Sequence, residues 1–334
     1  MFRAKDISCL LLLSVLHGMP AAAQSPSTGS GQAWLPTKNV EIIVSSVPGG
    51  SNDKTGREIE KALNDLKLVP TSTSIVGKPG GGGNIAMAYT NQHPGDGHYL
   101  MVATSSINSN HIIGASKLTY HDFTPIASLV NDYVVFAVKT DSPLKSGNDL
   151  VAQLKSKPQS VAMGFANTFG GSRHIAGGLL IKAVGGNPRD LKTVVFKGSA
   201  EAIAALLGAH LEMVIIGAGN AVAHVQSGRM RVLAVTAPQR LTGALSSVPT
   251  WRELGADVVS GSWRGVMGPK DMPAAQLAYW ENAMRQVSRN AGWKTDIERN
   301  YWTEDFAIGA QFRKDLDKDY VDTRKVLVDL GLAK

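Results

Sequence analysis

Val40-Glu41-Ile42-Ile43-Val44-Ser45-Ser46-Val47-Pro48-Gly49-Gly50-Ser51-Asn52-Asp53 is the stretch that decides the fold. Its first six residues, Val40 to Ser45, form a β-branched apolar run that reads as a buried strand. Pro48-Gly49-Gly50 ends that run, since proline lacks a ladder N–H and glycine turns the chain. Asn52 or Asp53 then caps a helix whose Ile59, Leu63 and Leu66 fall on one face. Strand, glycine loop, helix is the repeating unit of a parallel sheet.

The unit recurs downstream. Ser74 to Val76 reads as a short strand, followed by the glycine run Gly80 to Gly83 and a helix from Asn84. Asp96-Gly97 turns the chain into a strand over Tyr99 to Thr104. A second series begins with a strand at Val134 to Lys139 and a helix at Ser146 to Lys155. The strand Val161 to Ala166 leads through Asn167 to Gly171 into a helix from Ser172. Thr193 to Phe196 leads through Lys197-Gly198 into a helix from Ser199. Met213 to Ile216, a helix near Ala221 to Gln226 and Val232 to Thr236 complete the series. A strand at Trp263 to Met267 then precedes charged helices at Ala274 to Ser288 and Phe306 to Leu330. Two such series predict an α/β molecule of two lobes, with ligand beyond the carboxyl ends of the strands.

The N-terminus has the pattern of an export signal. Arg3 and Lys5 precede the apolar run Ile7 to Leu16, and Ala21-Ala22-Ala23 supplies small residues for cleavage after Ala23. Ten apolar residues are too few to span a bilayer, which needs about 20. Cys9 stands at the start of the run, not behind it, which argues against a lipidated cysteine. It is the single cysteine, so the chain after the signal has no disulfide, thiolate metal site or cysteine nucleophile. Cleavage would leave 334 − 23 = 311 residues, with the net charge falling from +7 to +6 as Arg3, Lys5 and Asp6 depart. Residues 24–34 are a Ser- and Gly-rich tether. Lysines and arginines are scattered, with no basic stripe interleaved with aromatics, so no nucleic-acid partner is expected.

Three loops join a strand to a helix through small residues. They are Pro48-Gly49-Gly50-Ser51-Asn52, Asn167-Thr168-Phe169-Gly170-Gly171-Ser172 and Lys197-Gly198-Ser199. Glycine lets backbone N–H groups approach a ligand, and helix N-termini add unpaired donors with partial positive charge. Three such loops aimed at one cleft would bind a carboxylate. A loop glycine, equally, is often only a turn.

Other signals do not hold together. Gly81-Gly82-Gly83-Asn84-Ile85-Ala86 fits a dinucleotide fingerprint, but the next strand ends at Thr104-Ser105-Ser106 without the acidic residue that motif requires. Ser172 and His174 are two residues apart on one helix and do not face each other. The other histidines show no metal-ligand spacing. No catalytic residue, metal or cofactor is therefore expected.

The chain resembles the extracytoplasmic receptors of tripartite tricarboxylate transporters, the Bordetella uptake family, from about Trp34 to the C-terminus. The resemblance rests on Trp34, Pro36, Pro48-Gly49-Gly50, Asp53 and Arg57, then Lys78-Pro79 with Gly80 to Asn84. Pro94-Gly95-Asp96-Gly97, Phe123-Thr124-Pro125, Gly228 to Ala234 and Val248 to Gly255 extend it. It implies two α/β lobes closing like a flytrap, crossed near Val134–Lys139 and Ser260–Gly268. Lobe one would be residues 35–137 with 261–334, and lobe two 138–260.

The resemblance also implies a periplasmic solute-binding protein, expected to be a monomer. It would hand a citrate-like tricarboxylate or a dicarboxylate to membrane subunits. Carried over by motif, the ligand contacts would be Gly49, Gly50 and Asn52, with Ser105 and Ser106 on the same lobe. Thr168, Gly171 and Ser172 would face them, with Gly198 and Ser199 as a third donor set. Ser45-Ser46-Val47 departs from the family, which usually has apolar or aromatic residues there. Phe169 adds a ring that would suit an aromatic carboxylate, or else packs as a lid. Ser262-Trp263-Arg264-Gly265 resembles receptors for citrate-like ligands. Arg264 would then take an extra carboxylate, or form a structural ion pair. A ligand-presenting sensor would share this sequence pattern, whereas a secreted hydrolase would need a nucleophile beside a base.

Overall fold

The computed structural model describes residues 34–334 apart from Asn167. The expected signal at 1–23 and the tether up to residue 33 lie outside the described residues. Trp34, by contrast, is already part of the fold, its ring edge-on to Tyr279 at 5.2 Å and to His98 at 5.4 Å.

The chain begins with β1 (Val40–Val44), α1 (Ser51–Asp65), β2 (Thr73–Gly77), α2 (Asn84–Thr90), β3 (Tyr99–Thr104) and α3 (Ser106–Ile112). A long strand β4 (Phe123–Lys139) follows, then α4 (Gly147–Ser156), β5 (Met163–Ala166), α5 (Ser172–Ala183), β6 (Thr193–Phe196) and α6 (Ser199–Leu207). Next come β7 (Met213–Gly217), α7 (Ala218–Gln226), β8 (Met230–Val235) and β9 (Gly261–Pro269). The chain closes with α8 (Ala274–Arg289), α9 (Ala291–Asn300), β10 (Thr303–Ile308) and α10 (Gly309–Asp329).

These strands form one continuous sheet in the order β2-β1-β3-β9-β4-β7-β5-β6, with β8 and β10 also on β4. β1 pairs in parallel with β2 and β3, and β5 in parallel with β6 and β7. β4 joins the two halves. Residues 123–133 pair with β9, and residues 127–131 also with β10; from Val134 onward the partners are β7 and β8. The return passage is at Ser260, whose N–H donates to Thr236 O before β9 begins.

Both faces of each half are buried, which explains the near-continuous apolar runs in the sequence. Val40, Ile42 and Val44 point to a core with Ile59 and Leu63 of α1 and Trp280 of α8. Ile43 points the other way, onto Met101 and Phe312. In the second half Val134, Phe136 and Val138 share a core with Ile215, while Val135 and Ala137 pack with Val214 and Ile216 on the opposite face. This alternation is the two-residue period of a strand.

Two elements differ from the sequence reading. The strand expected at Val134–Lys139 is the last third of the 17-residue β4. Pro125, Ser128, Asn131 and Asp132 interrupt its apolar pattern, and its register against β9 shifts twice near these residues. The helix expected from Phe306 begins only at Gly309, because Thr303–Ile308 pairs with β4. The last turns of α10 reach the second half. Leu327 and Leu330 pack with Ile112 of α3 and with the half-buried Ile175 of α5.

Candidate functional site

A cleft of about 590 Å³ opens where the carboxyl ends of β1, β3, β5 and β6 meet, within the range of small-molecule sites. Residues of the first half on its wall include Gly49, Gly50, Asn52, Lys54, Ser105, Ser106, Ser262 and Arg264. The second half contributes Thr168, Gly171, Ser172, Arg173, Lys197, Gly198, Ser199 and Asn220. Eleven of the twelve residues expected from sequence therefore share one wall. The twelfth, Phe169, does not line the cleft. Half exposed, its ring sits edge-on to Phe165 at 6.0 Å and His174 at 5.4 Å.

The three loops share one construction: each ends in a glycine at the helix N-cap followed by a serine. The pairs are Gly50-Ser51 at α1, Gly171-Ser172 at α5 and Gly198-Ser199 at α6, and none of these caps has a side-chain hydrogen bond. A helix start so built leaves first-turn N–H groups open to an anion. The glycines mostly turn the chain and are not themselves the donors. Gly49 N–H donates to Asp53 Oδ2 at 2.8 Å, Gly50 N–H to Val47 O at 2.9 Å and Gly171 N–H to Thr168 O at 3.3 Å. Gly49 also needs its φ of +78°, which L side chains rarely adopt. Among the described residues, no acceptor meets the N–H groups of Ser51, Asn52, Ser172, Arg173, Ser199 or Ala200.

Side chains brace the first loop. Asp53 also accepts from Arg57 Nε at 2.9 Å, and its own N–H donates to Ser46 Oγ at 2.9 Å. Asn52 Nδ2 donates to Ser45 Oγ, so Ser45 and Ser46 hold the loop rather than fill a core. Ser105 Oγ and Ser262 Oγ lie 3.1 Å apart, tying the end of β3 to β9. Beside the second loop, on α5, His174 is a structural residue. Its Nδ1 accepts from Gly170 N–H at 3.0 Å, its ring stacks on Phe165, and burial pushes its pKa down to about 4.

Charge on the wall is of one sign. Lys54, Arg173, Lys197 and Arg264 line the cleft, and no Asp or Glu is among the described lining residues. Arg264 lines the cleft and is ion-paired, its Nη2 on the Asp132 carboxylate and its Nη1 3.3 Å from Thr55 Oγ1. Both partners of that pair are buried. Arg173, second residue of α5, was missed. A cation in the first turn of a helix opposes the macrodipole, and that was the readable signal.

The family model described as tripartite tricarboxylate transporter family receptor matches residues 61–330. The chain is similar to protein BugT of Bordetella pertussis, 28% identical over 266 residues covering 78% of each chain. A solved R. palustris protein with adipate shares 22% identity and a TM-score of 0.78, over 89% of this chain and 99% of that one. MatC from Rhodopseudomonas palustris with bound malate shares 21% identity and a TM-score of 0.72, over 88% of this chain and 100% of that one. The fold is the bilobed α/β architecture of periplasmic binding proteins. No helix among the described residues is long and apolar enough to cross a membrane.

Proposed function

The chain belongs to the tripartite tricarboxylate transporter receptor family, and from that premise we propose that it captures a small organic carboxylate in the cleft and delivers it to membrane subunits. The observation that carries this reading is the acid-free wall, on which three uncapped helix starts stand beside buried and exposed cations. Charge-assisted hydrogen bonds to such donors are short and strong. The ligand is a dicarboxylate or citrate-like tricarboxylate. The neighbours solved with adipate and malate support that class. The aromatic alternative loses its main support, because Phe169 lies off the wall.

We take the lobes as residues 35–137 with 261–334, and 138–260. The change of β4 partners near Val134 supports a hinge within a few residues of the first boundary. Ligand bridging both walls favours the closed state and so shifts the population toward it. We take the protein to work as a periplasmic monomer without cofactor or catalysis. A ligand-presenting sensor would use the same cleft.

A thermal-shift screen against citrate, malate, adipate, benzoate and hexanoate tests the reading. A ligand at 100 times its Kd adds about 2.7 kcal/mol of stability, a shift of a few degrees. A rise with citrate, malate or adipate supports the proposal. Ligand-free protein that shifts with none of the five overturns it.

A further inference from the structure

Two guanidinium groups line the cleft, and one buried carboxylate lies behind them. Arg264 is paired with Asp132, and both are buried. Arg173 comes from the other half, is only 9% exposed, and has no ion-pair partner among the described residues. Its Nε meets no acceptor there either. Burial lowers its pKa; Asp132 acts in the opposite sense, and Arg264 adds to the lowering. A guanidinium stays charged regardless. The three groups therefore leave one positive charge over, at a helix start that is already electropositive.

An unpaired buried cation is costly, and proteins rarely retain one without a partner. Lys54 and Lys197 on the same wall are exposed, so water solvates them and they need none. Asp132 carries one negative charge against the two guanidinium groups, and among the described residues its side chain accepts only from Arg264. A ligand in the cleft can supply the balancing negative charge.

We propose that Arg173 is the specificity-determining residue of this site: its guanidinium takes the second carboxylate of an aliphatic dicarboxylate whose first carboxylate lies on open N–H groups of the facing loops. This rests on the carboxylate-receptor reading and narrows it. Recognition of the first carboxylate by backbone is common to mono- and dicarboxylates, so discrimination between them falls to Arg173. Arg264, already paired, holds the floor in place.

The test is calorimetric titration of the full chain, freed of ligand by dialysis, with adipate, malate and hexanoate. The wild-type protein binds adipate or malate at least about 10-fold more tightly than hexanoate, because a charge-assisted hydrogen bond is lost with the monocarboxylate. Arg173→Gln weakens the dicarboxylate about 10- to 100-fold and leaves hexanoate nearly unchanged, while Arg173→Lys recovers part of the loss. Equal binding of hexanoate and the dicarboxylates by wild type overturns the proposal without any variant. So does an Arg173→Gln protein, folded by circular dichroism, that keeps the wild-type ratio or weakens all three acids alike. Failure of wild type to bind any of the three overturns this inference, and the receptor reading falls with it if citrate does not bind either.

Discussion

Arg264 on β9 donates through Nη2 to the carboxylate of Asp132 on β4, two residues before β4 changes partners. The two are 132 positions apart in sequence and buried together beneath the cleft. Removing Asp132 leaves a buried guanidinium without its counter-charge. Asp132→Ala should cost about 3–5 kcal/mol, measured by denaturant unfolding. Asp132→Leu combined with Arg264→Met should cost less than Asp132→Ala alone, since no charge is then stranded.

Gly50 and Gly198 are both N-cap glycines on the cleft wall, yet they should respond oppositely to alanine. A Cβ at Gly50 would stand 2.7 Å from Ser46 Cβ, whereas one at Gly198 meets nothing within 4 Å. Gly50→Ala should destabilise by about 1–3 kcal/mol. Gly198→Ala should stay within about 0.5 kcal/mol of wild type. Unfolding curves of the two variants side by side give the answer.

His174 is buried and held down to about 4, against an ordinary value near 6.5. The unfolded chain therefore takes up a proton as pH falls through 6.5, while the folded chain resists until about 4. The stability this contributes is complete above pH 6.5 and is lost between 6.5 and 4. His174→Asn, which keeps an acceptor but does not titrate, should flatten that slope. Between pH 7 and 4.5 wild type should lose about 2–3 kcal/mol more than the variant.

The end of α10 ties the halves together through packing rather than charge. Leu327 is fully buried against Ile112, whereas the Lys182–Asp329 ion pair nearby is half exposed. Leu327→Ala should cost about 2–5 kcal/mol. Lys182→Ala should cost less than about 1 kcal/mol. Comparable losses from both would show that the ion pair holds this end as strongly as the apolar contact.

Much of the site was legible because its construction is local. Gly50-Ser51, Gly171-Ser172 and Gly198-Ser199 each follow an apolar strand and start a helix, and those patterns lie within a few residues of chain. They were enough to name a set of residues of which most lie on the wall. The reading was less complete where hydrogen bonds within a loop decide which N–H groups remain open. Gly49 and Gly50 donate to Asp53 and Val47, so the free donors are those of Ser51 and Asn52.

By itself the sequence determined the parallel α/β units, the glycine–serine helix starts and the family, since strand and helix periods and turn residues are short-range properties. Tertiary structure decided the full length of β4, the exclusion of Phe169 from the cleft, and the charge left on Arg173. Each depends on what lies opposite in space. β4 extends through Asp132 because β9 and β10 flank it, and Phe169 turns onto Phe165 and His174. Arg173 is left over because Asp132 already holds Arg264 from a distant strand. Local pattern sets which elements form; pairing between remote segments sets which charge remains for a ligand.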